Sequence, residues 1–229
     1  MKKLFYILCC SLAVLFTACE KGELSEKSNG DGSSSGSGVS NGHAYVDLGL
    51  SVKWATCNVG ATKPEDYGDY FAWGETAPKE EYNWSNYKWF NMNQDDYIIK
   101  YCDESDYGTV DNKTILEFSD DAANANWGGD WRMPTYAEQD ELQTECIWTW
   151  TKQNGVNGYK VTSKTNGNSI FLPAAGCYDD HKGSRGHYWN TSLGTSYSFY
   201  ACTMSFGSDY ICLGGATRYN GLPIRPVLP

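Results

Sequence analysis

The chain has 229 residues, 28 acidic against 18 basic, and a formal net charge of −10. An acidic protein with no basic stripe is not built to track nucleic acid or to dock electrostatically on anionic lipid. Its 9 cysteines show no CxxC and no paired Cys/His spacing, which speaks against a zinc site.

Residues 1–18 open with Lys2 and Lys3, continue with an apolar run over 4–16 and close on Thr17 and Ala18. A positive start, a short apolar stretch and small residues before a cut predict an export signal, too short to span a membrane. Cys19 follows at once, so the segment resembles the lipobox of bacterial lipoproteins. That resemblance implies lipidation, with palmitate-type acyl chains, on Cys19 as the first mature residue. Two or more acyl chains hold a protein firmly on a membrane where one does not. Glu20, Glu23 and Glu26 resemble the surface-export signals of Bacteroidetes lipoproteins, so the expected location is the outer membrane, on its exposed face. Residues 19–42 are then the lipidated cysteine and a linker, rich in Gly and Ser over 29–38. As a coil this linker spans roughly 25–30 Å.

Residues 43–229 read as one domain. Leu50, Val52 and Trp54 alternate with Ser51 and Lys53, which predicts a half-buried strand. A short helix is expected over 120–126. A second begins at Thr135, where Pro134 blocks an earlier turn and Thr135 with Glu138 forms a capping box; Leu142 and Cys146 then face inward. Trp148 and Trp150 alternate on a strand and present both indoles to one face, expected to be core. Residues 159–164 and 169–172 make a hairpin through Asn166-Gly167. Residues 197–206 and 210–213 make another around Gly207-Ser208, and 222–227 form a last strand. The class is α+β, with short antiparallel strands, one or two helices and long loops.

Several constellations bear on chemistry. Tyr82, Trp84, Tyr87, Trp89 and Phe90 lie among Asn83, Ser85, Asn86, Asn91 and Asn93. Rings bordered by amides suit stacking on sugar faces, which makes Trp84, Tyr87 and Trp89 the glycan-binding candidates. The competing reading packs them as a satellite core beneath a long loop. Beyond Cys19, an exported domain with Cys57, Cys102, Cys146, Cys177, Cys202 and Cys212 permits disulfides, although buried free thiols fit as well. Cys202 and Cys212 flank a hairpin and form the candidate pair. The acidic pairs have no cation-loop spacing, and His181 and His187 read as surface residues rather than ligands. No nucleophile-elbow motif is present. No catalytic residue, metal or cofactor is therefore expected.

The segments YVDLGLSVKWATCNVGA (45–61), YFAWGET (70–76), WRMPT (131–135), GYKVT (158–162), IFLPAAG (170–176) and IRPV (224–227) resemble, in order, the Fibrobacter succinogenes major paralogous domain. That family is similar to C-type-lectin-like folds, including formylglycine-generating-enzyme relatives, whose R-L-P-T-x-x-E motif resembles residues 132–138. The resemblance implies a C-type-lectin-like domain of a lipoprotein and leaves activity open. The cysteine motif of the oxidases is missing around Cys202, as are the calcium-lectin sugar motifs. The expectation is a lipid-anchored surface domain without enzymatic activity that binds a glycan or host polymer. The alternative is an envelope component that docks onto another protein.

Overall fold

Strand structure starts inside the Gly/Ser-rich stretch, ahead of the first apolar residues of the domain. The computed structural model describes residues 36–93, 97–194 and 197–229. The export segment, Cys19 and most of the linker lie outside the described residues. Strand β1 (Ser37–Ser40) pairs antiparallel with β2 (His43–Val46) in the register Ser37↔Val46 to Ser40↔His43. The domain boundary expected at residue 43 is therefore corrected toward the N-terminus. The cause is the Asn41-Gly42 turn, with φ of 46° and 82°, the left-handed pair that two-residue hairpins need. Trp131 Nε1 donates to Ser40 O at 2.9 Å, Asn41 Nδ2 donates to Trp127 O, and His43 stacks on Trp127 at 3.8 Å. These contacts fix a segment whose composition alone suits a coil.

β2 also pairs with β3 (Lys53–Ala55), which pairs in turn with the C-terminal strand, giving the sheet order β1-β2-β3-β12, where β12 is Val227–Leu228. The expected strand over 222–227 is thus much shorter. Pro223 and Pro226 lack the N–H a ladder requires, and Leu222 makes only an isolated bridge with Phe71. Between these ends lie β4 (Phe90–Asn91), β5 (Tyr97–Ile98), helix α1 (Ala122–Trp127) and helix α2 (Tyr136–Glu145). Next come the meander β6 (Cys146–Gln153), β7 (Val156–Ser163) and β8 (Ser169–Pro173), then β9 (Gly186–Leu193), β10 (Tyr200–Gly207) and β11 (Tyr210–Thr217). All strand pairings within the described sheets are antiparallel, and the class is α+β.

Two apolar clusters share the strands between them. One gathers Phe71, Trp73, Tyr101, Trp131, Trp189 and Ile224; the other gathers Leu48, Trp54, Leu142, Tyr188, Met204 and Phe206. Neighbours in sequence go to opposite clusters: Tyr188 and Trp189 on β9, Trp54 and Ala55 on β3, Val227 and Leu228 on β12. That is strand alternation with both faces buried. Trp148 and Trp150 are half-buried and pack on Tyr159 and Phe206 at the margin of the second cluster.

α2 begins as its cap demands. Thr135 Oγ1 accepts from the Glu138 N–H at 3.2 Å, and Glu138 Oε2 accepts from the Thr135 N–H at 2.8 Å. Arg132 closes the knot by donating to both Glu138 oxygens, at 2.8 and 2.6 Å. Buried Gln139 then ties the helix to β9, donating to Tyr188 O and Trp189 O and accepting from Asn190 Nδ2. Leu142 is buried as expected, and Cys146, also buried, opens β6 rather than extending the helix.

Candidate functional site

The aromatic segment after residue 80 folds as a single 3₁₀ turn, Trp84–Asn86, and its amides hold the turn rather than facing outward. Asn86 Oδ1 accepts from the Asn83 N–H at 3.3 Å, and Asn86 Nδ2 donates to Glu81 O at 2.9 Å. Asn91 Oδ1 likewise accepts from the Asn93 N–H at 3.0 Å. The amides expected to face sugar hydroxyls therefore serve local backbone geometry.

The three ring candidates separate. Tyr87 is only 3% exposed. Its hydroxyl donates to Trp73 O at 2.7 Å and accepts from Arg218 Nε at 2.9 Å. Burial pushes its phenol above the usual range, with the nearby Arg218 charge opposing. Tyr87 cannot offer a ring face to a ligand, and its place in a sugar platform is corrected to core. Arg218 is responsible. It is fully buried without a carboxylate, donating to Tyr101 O, Ser198 O and Lys100 O at 2.9–3.1 Å. Its guanidinium also lies 4.9 Å from the Trp73 ring centroid, a cation–π arrangement.

Trp89 is half-buried. Its indole N–H donates to Gly74 O at 2.9 Å, and the ammonium groups of Lys88 and Lys100 stand 4.1 and 4.7 Å from its ring centroid. Lys100 in turn donates to Asp120 Oδ2 at 2.6 Å, and Tyr101 OH donates to the same oxygen at 2.6 Å. Burial raises the Asp120 carboxyl, but hydrogen bonds from Lys100, Tyr101 and Lys88 together hold it below the usual carboxylate range. Trp89 belongs to this cation-covered assembly.

Trp84 is half-buried like Trp89 and alone of the three lines a groove. It borders an open groove of about 490 Å³ with Phe90, Met92, Phe199, Tyr200 and Thr217. Its ring is braced by Tyr87, Phe90, Phe199 and Tyr219 at centroid distances of 4.6–5.6 Å. The Trp84 indole N–H and the Tyr200 and Thr217 hydroxyls make no hydrogen bond with another described residue. A braced ring with open donors at its rim can stack on an apolar face and bond to polar edges. Phe199, Tyr200 and Thr217 were not singled out from the sequence. Their only local signal is the run Tyr197, Phe199, Tyr200, and β10–β11 pairing is what brings Tyr200 opposite Thr217.

The cysteines are corrected as well. Cys202 stands opposite Gly215 and Cys212 opposite Ser205, an offset of three residues. An odd offset puts the side chains on opposite faces, roughly 10 Å apart along the strands, beyond the ~7 Å a disulfide tolerates. All six described cysteines are free. Cys202 is buried, its thiol donates to Leu193 O at 3.3 Å, and burial pushes its pKa up, the setting of an inert thiol. His187 Nδ1 lies 2.9 Å from Ser205 Oγ, and His181 pairs with Asp180. Among the described residues no three His, Cys, Asp or Glu side chains gather as a metal site. The Arg132 to Glu138 motif is accounted for by the α2 cap.

No helix among the described residues is long and apolar enough to cross a membrane. Comparison of the chain with protein-family profiles, with curated proteins and with solved structures finds no match.

Proposed function

We propose that this chain is a lipid-anchored, cell-surface binding domain without catalytic activity, taking a glycan or a host-surface polymer at the Trp84 groove. The observation that carries the reading is the contrast among the three candidate rings. Tyr87 and Trp89 are committed to the fold, whereas Trp84 is braced at the rim of a groove with open donors. Lipidation at Cys19, an outer-membrane location and the C-type-lectin-like assignment rest on the sequence resemblances. The antiparallel strands, two described helices and long connections agree with the last.

Glycan-array binding by the purified domain tests the ligand class. Trp84→Ala should abolish binding while the domain stays folded, and Tyr87→Phe should lower stability while leaving binding intact. The reverse pattern would remove the site. Anchoring is tested separately, since Cys19→Ala should shift the protein out of the detergent-extracted membrane fraction. Unchanged fractionation would remove the anchor.

A second reading, an assembly component that docks on an envelope protein, is favoured by Ile115 and Phe118, which are 51% and 56% exposed. Pull-down from outer-membrane extracts with Phe118→Asp as control distinguishes it, because Phe118 is exposed and lines neither groove.

A further inference from the structure

A second and larger groove, of about 700 Å³, opens beside the first, and Tyr200 lines both. Its lining includes Gly215 on the edge strand β11 of the order β11-β10-β9, opposite Cys202. Tyr136 and Tyr197 stand at its rim, 43% and 50% exposed, and the Tyr197 ring centroid lies 6.3 Å from that of Tyr200. Volumes of this size each suit a small-molecule site, roughly 300–1,000 Å³. Two such sites meeting at one shared ring form a trough.

The chemistry of the trough is unusual for so acidic a protein. Among the described residues no Asp, Glu, Lys, Arg or His lines either groove. Side-chain polar groups are present all the same, and in the larger groove they include the hydroxyls of Thr114, Tyr136, Ser192 and Tyr197. None of these hydroxyls is hydrogen-bonded to another described residue. Among the described residues a charged polymer would find no counter-ion here, and its desolvation would go uncompensated. The apolar side chains of a peptide would bury those hydroxyls without partners, at a desolvation cost. A neutral polyhydroxylated chain meets both conditions, placing its apolar faces on the rings and its hydroxyls against hydroxyls.

From this we infer that the ligand is an uncharged linear polysaccharide lying along both grooves, with Tyr200 as the ridge between them, rather than a single terminal sugar at Trp84. The inference rests on the glycan reading proposed above. It makes Tyr136 and Tyr197 determinants of chain length, without a role in holding the first units at Trp84.

The test uses soluble neutral glucans, mannans and xylans, together with their oligomers of two, four and six units. Polygalacturonate and an apolar peptide serve as comparison ligands, and affinity is read by calorimetry at low and at 1 M NaCl. A neutral hexamer should bind at least tenfold more tightly than the dimer, with little change in high salt. Tyr136→Ala and Tyr197→Ala should bring the hexamer down to the dimer's affinity and leave the dimer unaffected. Equal affinity for dimer and hexamer would overturn the extended site while the Trp84 reading stands. Salt-sensitive binding of polygalacturonate, or preference for the peptide, would overturn the neutral-chain assignment. Failure of every glycan to bind the unmodified domain would overturn the underlying reading itself.

Discussion

Arg218 decides what the aromatic segment is for. A buried guanidinium without a carboxylate must satisfy its donors otherwise, and it does so with three backbone carbonyls and the Tyr87 hydroxyl. Removing it orphans those acceptors and empties a site packed against Trp73. Arg218→Met should therefore cost more than the about 1–3 kcal/mol of a single orphaned polar group, read from the urea midpoint. Arg218→Lys should recover little, because an ammonium cannot reproduce the planar fork. Tyr87→Phe should cost a smaller ~1–3 kcal/mol by leaving Arg218 Nε unpaired. Nothing near residue 87 distinguishes Tyr87 from Trp84 in the sequence. The arginine that separates them lies 131 residues downstream, so the candidate site was legible as a segment but not as individual rings.

Helix α2 shows the opposite case, since its start is written within residues 132–138. Thr135→Ala removes one arm of the capping box and should lower stability by about 1 kcal/mol, measured by denaturant unfolding. Glu138 carries the pH dependence of this cap. Burial pushes its carboxyl up, but the Arg132 fork and the Thr135 N–H outweigh burial and hold it below the ordinary value. A carboxyl lowered in the fold contributes fully above its unfolded pKa of about 4.3. That contribution is lost as pH falls through the folded value. Glu138→Gln should be less stable at pH 7 and should lose less on going to pH 3 than the unmodified protein. Hairpins were legible to the same degree, by turn chemistry. Asn166-Gly167 marks β7–β8 as expected, whereas Asn41-Gly42 was obscured by the Gly/Ser run before it. Asn154-Gly155, with φ of 47° and 87°, joins β6 to β7 by the same code.

At the scale of the whole molecule, the two cores meet on strands buried on both faces, so no covalent cross-link is needed to hold them together. The six described cysteines are free. The melting temperature should accordingly be the same with and without dithiothreitol, and these six thiols should all titrate in denaturant. A reductant-dependent drop of several degrees would mean a disulfide after all. The α+β class was legible because half-buried strands and a capped helix have local signatures. The pairing of β3 with β12 was not, because it joins residues 53–54 to residues 227–228 across nearly the whole domain. Prolines 223 and 226 also shorten the strand that would have announced it.

The β1–β2 hairpin has a mechanical side. Under the proposed anchor at Cys19, any drag on a bound polymer is resisted through the chain just before Ser37, at the open end of the hairpin. Loaded there, the pairs must separate in succession, from Ser37↔Val46 toward Ser40↔His43, in unzipping rather than shear. The grip of Trp131 on Ser40 O and the His43–Trp127 stack lie at the far end and yield last. Peeling the four residues of β1 releases about 13 Å of chain at ~3.3 Å each. Both cores remain closed meanwhile, so the hairpin is a yielding link that limits the tension the binding face must carry.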